Sequence, residues 1–454
     1  MIPKLFNKLN FSINKKNVMK ISSGTILGQL ISIFTLPIIT RLYGAEIIGI
    51  WVLLNSISII INSFSDLGLK NSIMVESKED VEKSYKVIST ISGIISIVLS
   101  IIITHFYYFF SDDVNINQIL FFILLTIIVF TSQQIQICYT WLNRNGNYNV
   151  LMKNPLINNG VNGILGIVLG FFGLVTFGYF IAQIIGQVVT LLHMKRNLPN
   201  VMFTFRLQDF SYIIKKNKRF VLYQVPTNII GKLKSQLPNF LIQTLWGTEM
   251  LGYFSITIKL LQVPSSLLAS AIGRVFFQTT SSIKRQGKPI GYLVNRNMAL
   301  ALKFAIIPMA LLIAFGDVVV VMFLGKEWTT AGNLVQVLGL YYYFVFVMST
   351  VQGLEIVLEK QNYLIVSLIS QMIVTATSFS LGKFIFNDIY IALLMMSSLN
   401  IIVFIIYFCI LYKLMEISWL KFLKKTLVNI LLMLGLSVVL KGIFIIPDIK
   451  NLFL

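Results

Sequence analysis

Three lysines stand where an apolar sequence has least use for them. Lys232 and Lys234 occur in NIIGKLKSQLPNF and Lys259 in YFSITIKLLQVP, both within stretches read as membrane helices. An ammonium at the centre of a bilayer costs about 2.5–3.5 kcal/mol on insertion scales, so such groups mark places where a partner or water is met. From the turn at Gly247, Lys232 lies 15 residues back and Lys259 12 residues forward. At 1.5 Å per residue these are depths of about 22 and about 18 Å. Two consecutive antiparallel helices thus bring lysines to nearly one level, and no Asp or Glu is expected at that depth. The partner that fits is an anion from solution, with lysine as a point-charge donor to its oxygens. Residues two apart on a helix diverge by about 200°, so Lys232 and Lys234 cannot both face one cavity squarely. Arg41, at the outer end of the first apolar run, either guides an anion outward or anchors the turn that follows; Lys441, in the last run, is read as snorkelling to the interface. His105 and His193 stand alone, and Cys138 and Cys409 show no CxxC or CxxH spacing. Neither a metal site nor a disulfide framework is expected, and both cysteines read as buried apolar thiols.

The elements that must position these lysines are membrane helices. The chain of 454 residues is 56% hydrophobic and only 12% charged, with a mean hydropathy of +0.82, far from the roughly one-quarter charged content of soluble domains. About thirteen apolar runs approach the ~20 residues that cross a bilayer. Of the 37 Lys and Arg, 29 fall in alternate loops and only four on the opposite side. The positive-inside rule therefore puts the N-terminus in the cytoplasm. Basic residues scattered over short loops are not a nucleic-acid patch. The longest outward connection, GDVVVVMFLGKEWTT, is too small for a catalytic domain. The first run is followed by a charged turn instead of a cleavage site, so no removable signal peptide is expected. The opening MIPKLFNKLNF reads as a short interfacial helix or a basic tail.

The sequence also repeats itself. RLYGAEIIGIW, from Arg41, returns as TLWGTEMLGYF, from Thr244, so that an offset of 203 residues matches Gly28 with Gly231, Gly44 with Gly247, Glu46 with Glu249 and Gly49 with Gly252. Six runs separate the two copies. Six being even, the halves share an orientation and are related about the membrane normal, the architecture of alternating access. The expected fold is all-α and integral to the membrane, with about 12–13 transmembrane helices in two pseudo-symmetric six-helix bundles around a central cavity. Residues 1–205 form an N-lobe (the interfacial helix and six spans), 206–412 a C-lobe, and 413–454 an appendage with one further hydrophobic helix. Proline interrupts the first, seventh, eighth and ninth runs, and Pro226 and Pro238 mark the seventh as the candidate bending element.

SGTILGQLISIFTLPIITRLYGAEIIGIW resembles the first hairpin of bacterial polysaccharide flippases, the Wzx type of the multidrug/oligosaccharidyl-lipid/polysaccharide exporter superfamily. AIGRVFFQTTSSIKRQGK and VMFLGKEWTTAGNLVQVLGL resemble later patterns of the same family, and the likeness extends over roughly residues 15–412. It implies transfer of an undecaprenyl-pyrophosphate-linked oligosaccharide, an O-antigen or capsule repeat unit, from the cytoplasmic to the outer leaflet of the bacterial inner membrane. The implied partners are the lipid-linked oligosaccharide, membrane lipids, a polysaccharide polymerase and a chain-length regulator, with no cofactor and no nucleic acid. The pyrophosphate would then be the anion for Lys232, Lys259, Lys234 and Arg41. A cation-coupled drug exporter of the same superfamily needs a buried carboxylate. A membrane-embedded glycan polymerase or ligase needs a large outward loop, and a scaffold subunit has no use for midplane lysines.

Overall fold

In a chain this apolar each backbone N–H and C=O must be paired within its own segment, and helices do so locally. The computed structural model describes residues 13–110, 117–198, 203–218 and 220–444, and among them no strand occurs. The segment MIPKLFNKLNF lies outside the described residues. The helices are α1 (Ile13–Leu42), α2 (Ala45–Asn62), α3 (Val81–Phe110), α4 (Gln118–Arg144), α5 (Tyr148–Phe171), α6 (Val175–Lys195) and the short α7 (Leu207–Lys216). They continue as α8 (Val225–Trp246), α9 (Thr248–Leu261), α10 (Ser270–Arg285), α11 (Gly291–Phe304), α12 (Ile306–Leu324), α13 (Thr329–Ser349), α14 (Leu354–Val357), α15 (Gln361–Phe384), α16 (Ile389–Leu414) and α17 (Trp419–Phe444).

Among the described residues ten helical segments are long and apolar enough to cross a membrane, or eleven if the pair Thr248–Leu261 and Ser265–Arg285 is one bent span. This is a multi-pass membrane protein. The two further runs expected from sequence do form helices, α5 and α8, but both fall short in apolarity. Lys153, Asn154, Asn158, Asn159 and Asn162 interrupt the first, and Lys232, Lys234, Gln236 and Asn239 the second. The ninth run also differs. Its helix continues through Asp317 to Leu324, leaving only Gly325–Trp328 as the turn, because the valines after Asp317 extend the helix instead of forming a loop. Bending is placed differently too. Helix α8 continues through Pro238 after a π-helical turn at Phe220–Gln224, whereas the 45° bend lies in the next span, at Pro264 and the π-helical turn Ser265–Ala269.

The chain divides into two compact units, Met1–Tyr43 with Leu54–Leu233, and Gly44–Leu53 with Lys234–Leu454. In the first, α1 packs along α5, α5 on α6, and α3 and α6 on α4. The α1–α5 pair approaches through small residues: a methyl on Gly28 would sit 2.8 Å from the Pro155 carbonyl, and one on Gly163 2.7 Å from the Thr35 methyl. Small residues at a membrane helix interface let backbones close in, where dispersion contacts replace the missing hydrophobic drive. Beneath these helices α7 buries Ile213 among Leu69, Ile73, Tyr85 and Leu142. Its polar side ties to the loop that leads into α3: Lys216 pairs with Glu76 and, at 2.8 Å, with Asp80, while the Tyr212 hydroxyl donates to Asp80 at 3.0 Å. In the second unit α12 packs on α13 and α17, α15 on α16, and α13 on α9 and α16.

The second unit also contains both repeated turns, and they pack on each other. A methyl on Gly49 would lie 2.9 Å from the carbonyl carbon of Thr248, and one on Gly252 would lie 2.6 Å from that of Ala45. Thr248 is the repeat equivalent of Ala45, and Gly252 that of Gly49, so the contact is reciprocal. It is the local signature of a two-fold relation between the turns.

Candidate functional site

Helices α8 and α9 carry the in-membrane lysines because their apolar residues outnumber these interruptions and because the turn between them needs only Gly247, at φ +87°. Lys232 and Lys259 are exposed and Lys234 is half-buried, in keeping with the angular divergence of neighbours two apart. Neither Lys234 nor Lys259 forms a hydrogen bond or ion pair with a described residue. Lys232 belongs to the first unit, and Lys234 and Lys259 to the second. Arg41 is exposed in the last turn of α1. Lys441 corrects its sequence reading. It is paired with Asp317 at 3.5 Å, and Gln336 donates to the same carboxylate at 2.7 Å, so α17 is held to α12 by charge as well as by packing. Sequence reasoning missed the pair because it placed Asp317 in a loop.

In the first unit the residues around the lower end of α2 form a polar core that sequence reasoning also missed. Asn62 donates to Ser132 at 2.6 Å and to Ser58 at 3.2 Å, and Thr131 donates to Gln187 at 2.7 Å. The chain then turns at Leu67 and Gly68, at φ 50° and 69°, a left-handed pair that Asp66 stabilises. Its carboxylate, fully buried, accepts from the backbone N–H of Gly68 at 3.1 Å and of Lys70 at 3.2 Å. Burial pushes the Asp66 carboxyl above its ordinary range, opposed by the nearby Lys70 charge and by those backbone N–H groups. The Lys70 ammonium donates to Gln136 Oε1 at 2.7 Å, a side chain 66 positions away on α4. Burial pushes Lys70 down, Asp66 counteracts this, and Lys232 pushes it down further. The run SQQIQ in α4 was the available signal, since consecutive amides in a membrane helix require partners.

Other candidates are set aside by their surroundings. Among the described residues no group of three His, Cys, Asp or Glu could hold a metal ion. Cys138 is buried, with Tyr85 Oη 3.6 Å from its sulfur, and Cys409 is half-buried. The aromatic run LYYYFVFV is mostly interior packing: Tyr343 donates to the Leu302 carbonyl at 2.8 Å, and Tyr342, Phe344 and Phe346 are buried.

Residues 38–333 match the family model described as polysaccharide biosynthesis protein. No curated protein matches the sequence. Among solved structures the chain is similar to the lipid II flippase MurJ in an inward closed conformation, with a TM-score of 0.72 at 15% identity, covering 95% of this chain and 99% of that one. It is also similar to a multidrug resistance MATE family transporter of the MOP superfamily in an inward-facing conformation, with a TM-score of 0.59 at 16% identity, covering 88% and 99%. A MOP superfamily transporter from Pyrococcus furiosus follows at 0.50 and 16% identity, covering 90% and 96%. At these identities the likeness establishes the fold, which is that of the MOP superfamily.

Proposed function

The chain belongs to the polysaccharide biosynthesis protein family, and from this we propose that it is a flippase for an undecaprenyl-pyrophosphate-linked oligosaccharide, working by alternating access in the bacterial inner membrane. The substrate is an O-antigen or capsule repeat unit, taken from the cytoplasmic leaflet and released to the outer one. In this reading the N-terminus is cytoplasmic, residues 1–205 and 206–412 are the moving lobes, and 413–454 is the appendage. The pyrophosphate is bound by Lys232, Lys259 and Lys234, and Arg41 receives it on the outer side. A polysaccharide polymerase and a chain-length regulator act on the delivered unit.

The observation that supports this reading most is Lys259. It sits in a helix whose other charged residue, Glu249, lies in the first turn, is exposed, and has no ion-pair partner among the described residues. A cation placed this way suits an anionic cargo. A cation-coupled drug exporter has less support, because Asp317, a carboxylate within the span Gly291–Leu324, is already engaged by Lys441 and Gln336. A polymerase or ligase has less support again, since the connections at Gly44, Gly247 and Gly325–Trp328 are short turns.

The test is glycan export in a strain lacking its own flippase, with surface polysaccharide quantified for wild type, Lys232→Ala and Lys259→Ala at matched protein levels. Each variant is expected to lower export at least about tenfold, the equivalent of one lost charge-assisted contact of about 1.4 kcal/mol or more. Normal export by both would remove the anion site. A wild-type protein that moves no lipid-linked glycan in reconstituted vesicles would remove the transport reading itself.

A further inference from the structure

Helix α1 opens its membrane span with a lysine, and the apolar face that follows is uncovered. Lys20 is the first residue of the span Lys20–Leu42. Leu27 and Phe34 follow it at intervals of seven residues, so the three share one face of the helix. Leu27 and Phe34 are exposed. The neighbouring helix α5 runs in the same direction, since Gly24 lies against Met152, Gly28 against Pro155 and Gly163 against Thr35, in rising order. On α5, Lys153 and Ile164 stand eleven residues apart, again on one face, and both are exposed. One hydrogen bond shows that the two faces open to the same side. The Lys20 ammonium donates to Asn149 Oδ1 at 2.8 Å, and Asn149 precedes Lys153 by four residues, which makes them neighbours on the helix surface. Both lysines therefore stand at the N-terminal end of one groove between α1 and α5, wholly within the first unit. A lysine ammonium has three N–H donors. Lys20 gives one to Asn149, and Lys153 donates to no described residue. Neither helix contains an Asp or Glu, and among the described residues neither lysine is in an ion pair.

We propose that the α1–α5 groove binds an anionic phospholipid, with its phosphodiester on Lys20 and Lys153 and its acyl chains along Leu27, Phe34 and Ile164. A phosphodiester presents two unesterified oxygens, one for each ammonium, and charge-assisted hydrogen bonds to such oxygens are the strong ones. Lysines at the membrane surface beside an apolar groove are the chemistry that holds an anionic headgroup. The two chains of a phospholipid match the two apolar stripes. A diphosphate on a single polyprenyl chain would leave one stripe uncovered, and free phosphate would leave both. A zwitterionic phospholipid would bring a cation of its own to the two lysines. The flippase reading uses neither lysine, and the groove stands without it.

Fluorescence quenching tests this on the full-length protein in nanodiscs. A bimane label at Leu27→Cys, about 10 Å along the helix from Lys20, reports bromine on nearby acyl chains. Cys409→Ala confines the label, and Ile373→Cys, at an exposed position of α15, is the control. Phosphatidylcholine nanodiscs receive brominated phosphatidylglycerol or brominated phosphatidylcholine in separate arms. Phosphatidylglycerol is expected to be preferred about twentyfold at Leu27→Cys and not at Ile373→Cys, and Lys20→Gln and Lys153→Gln should each lower the preference about fivefold. Asn149→Leu, which keeps both charges but releases Lys20, should lower it about twofold, and Lys153→Arg should keep it. If Lys20→Gln fails to fold, Lys153→Gln carries the comparison, since Lys153 bonds to no described residue. Equal quenching by the two lipids in the otherwise unaltered protein, or a preference that both lysine variants keep, would overturn the proposal. So would loss of quenching on adding farnesyl diphosphate or inorganic phosphate at the concentration of the brominated lipid, because the groove would then belong to a diphosphate or to free phosphate. A preference lost in Lys153→Gln while glycan export stays normal supports the groove and leaves the flippase reading intact. A lysine-dependent preference in a protein that moves no glycan supports the groove and removes only the flippase reading.

Discussion

Replacing Gly49 or Gly252 by alanine should destabilise the protein, although alanine is the better helix former. In a helix interior Gly→Ala ordinarily gains up to about 1 kcal/mol from reduced backbone entropy in the unfolded chain. At Gly49, however, the new methyl would lie 2.9 Å from the Thr248 carbonyl carbon, closer still to its oxygen, and 3.1 Å from Gly252 N. At Gly252 it would lie 2.6 Å from the Ala45 carbonyl carbon and 3.0 Å from Ala45 Cα. These are backbone atoms, which cannot rotate away, so the two turns must separate. Overpacking of this kind costs about 1–3 kcal/mol, and after the propensity gain a net loss of about 1–2 kcal/mol is expected for each. The double variant should lose less than twice that amount, because one separation relieves both clashes. The control is Gly160→Ala in α5, where the methyl would meet nothing within 4 Å and the propensity gain stands alone. Intrinsic tryptophan fluorescence during thermal unfolding of the detergent-solubilised variants reads all four. Should Gly49→Ala and Gly252→Ala both unfold at or above the wild-type temperature, as Gly160→Ala is expected to, the reciprocal contact is not a tight one and the reasoning is refuted.

Tyr43→Phe removes a fully buried hydroxyl that donates to the Gly166 carbonyl at 2.7 Å. A loss of about 1–2 kcal/mol is expected, since the carbonyl is left with an unfilled acceptor site, and the same unfolding assay reads it. Asp317→Ala should loosen α17 by no more than about 1 kcal/mol, because both partners of the Lys441 pair are partly exposed and screened; faster proteolysis after residue 414 is the measurement. Hydrogen bonds from Lys216 and then Tyr212 hold the Asp80 carboxyl below its ordinary range. Its stabilising contribution is therefore present above the unfolded value and lost as pH falls through the depressed folded one. Amide exchange in α7 should accelerate only below about pH 4, and Asp80→Asn should show the fast rate at neutral pH.

Much of the site's setting was legible in one dimension, and its wiring was not. The apolar run containing Lys259 is helical in any membrane protein, since no other local structure pairs its backbone, so the lysine's place inside a helix followed from the run itself. The identity of its neighbours did not. Lys70 looked like one more basic loop residue, and only the fold of the first unit sets it against Gln136. Asp317 looked like the start of a loop because a charge followed a glycine, yet packing of α12 on α13 and α17 keeps the helix going and gives the carboxylate its lysine.

What the sequence determined by itself is therefore what local energetics decide: where the apolar runs lie and that they run as helices. Its repeated turns raised the expectation that the chain carries two copies of one design. That Gly49 lies on Thr248 and Gly252 on Ala45 was decided only by the tertiary structure, since two helices 203 residues apart choose their contact by the fit of backbone to backbone, a property no single stretch of sequence contains.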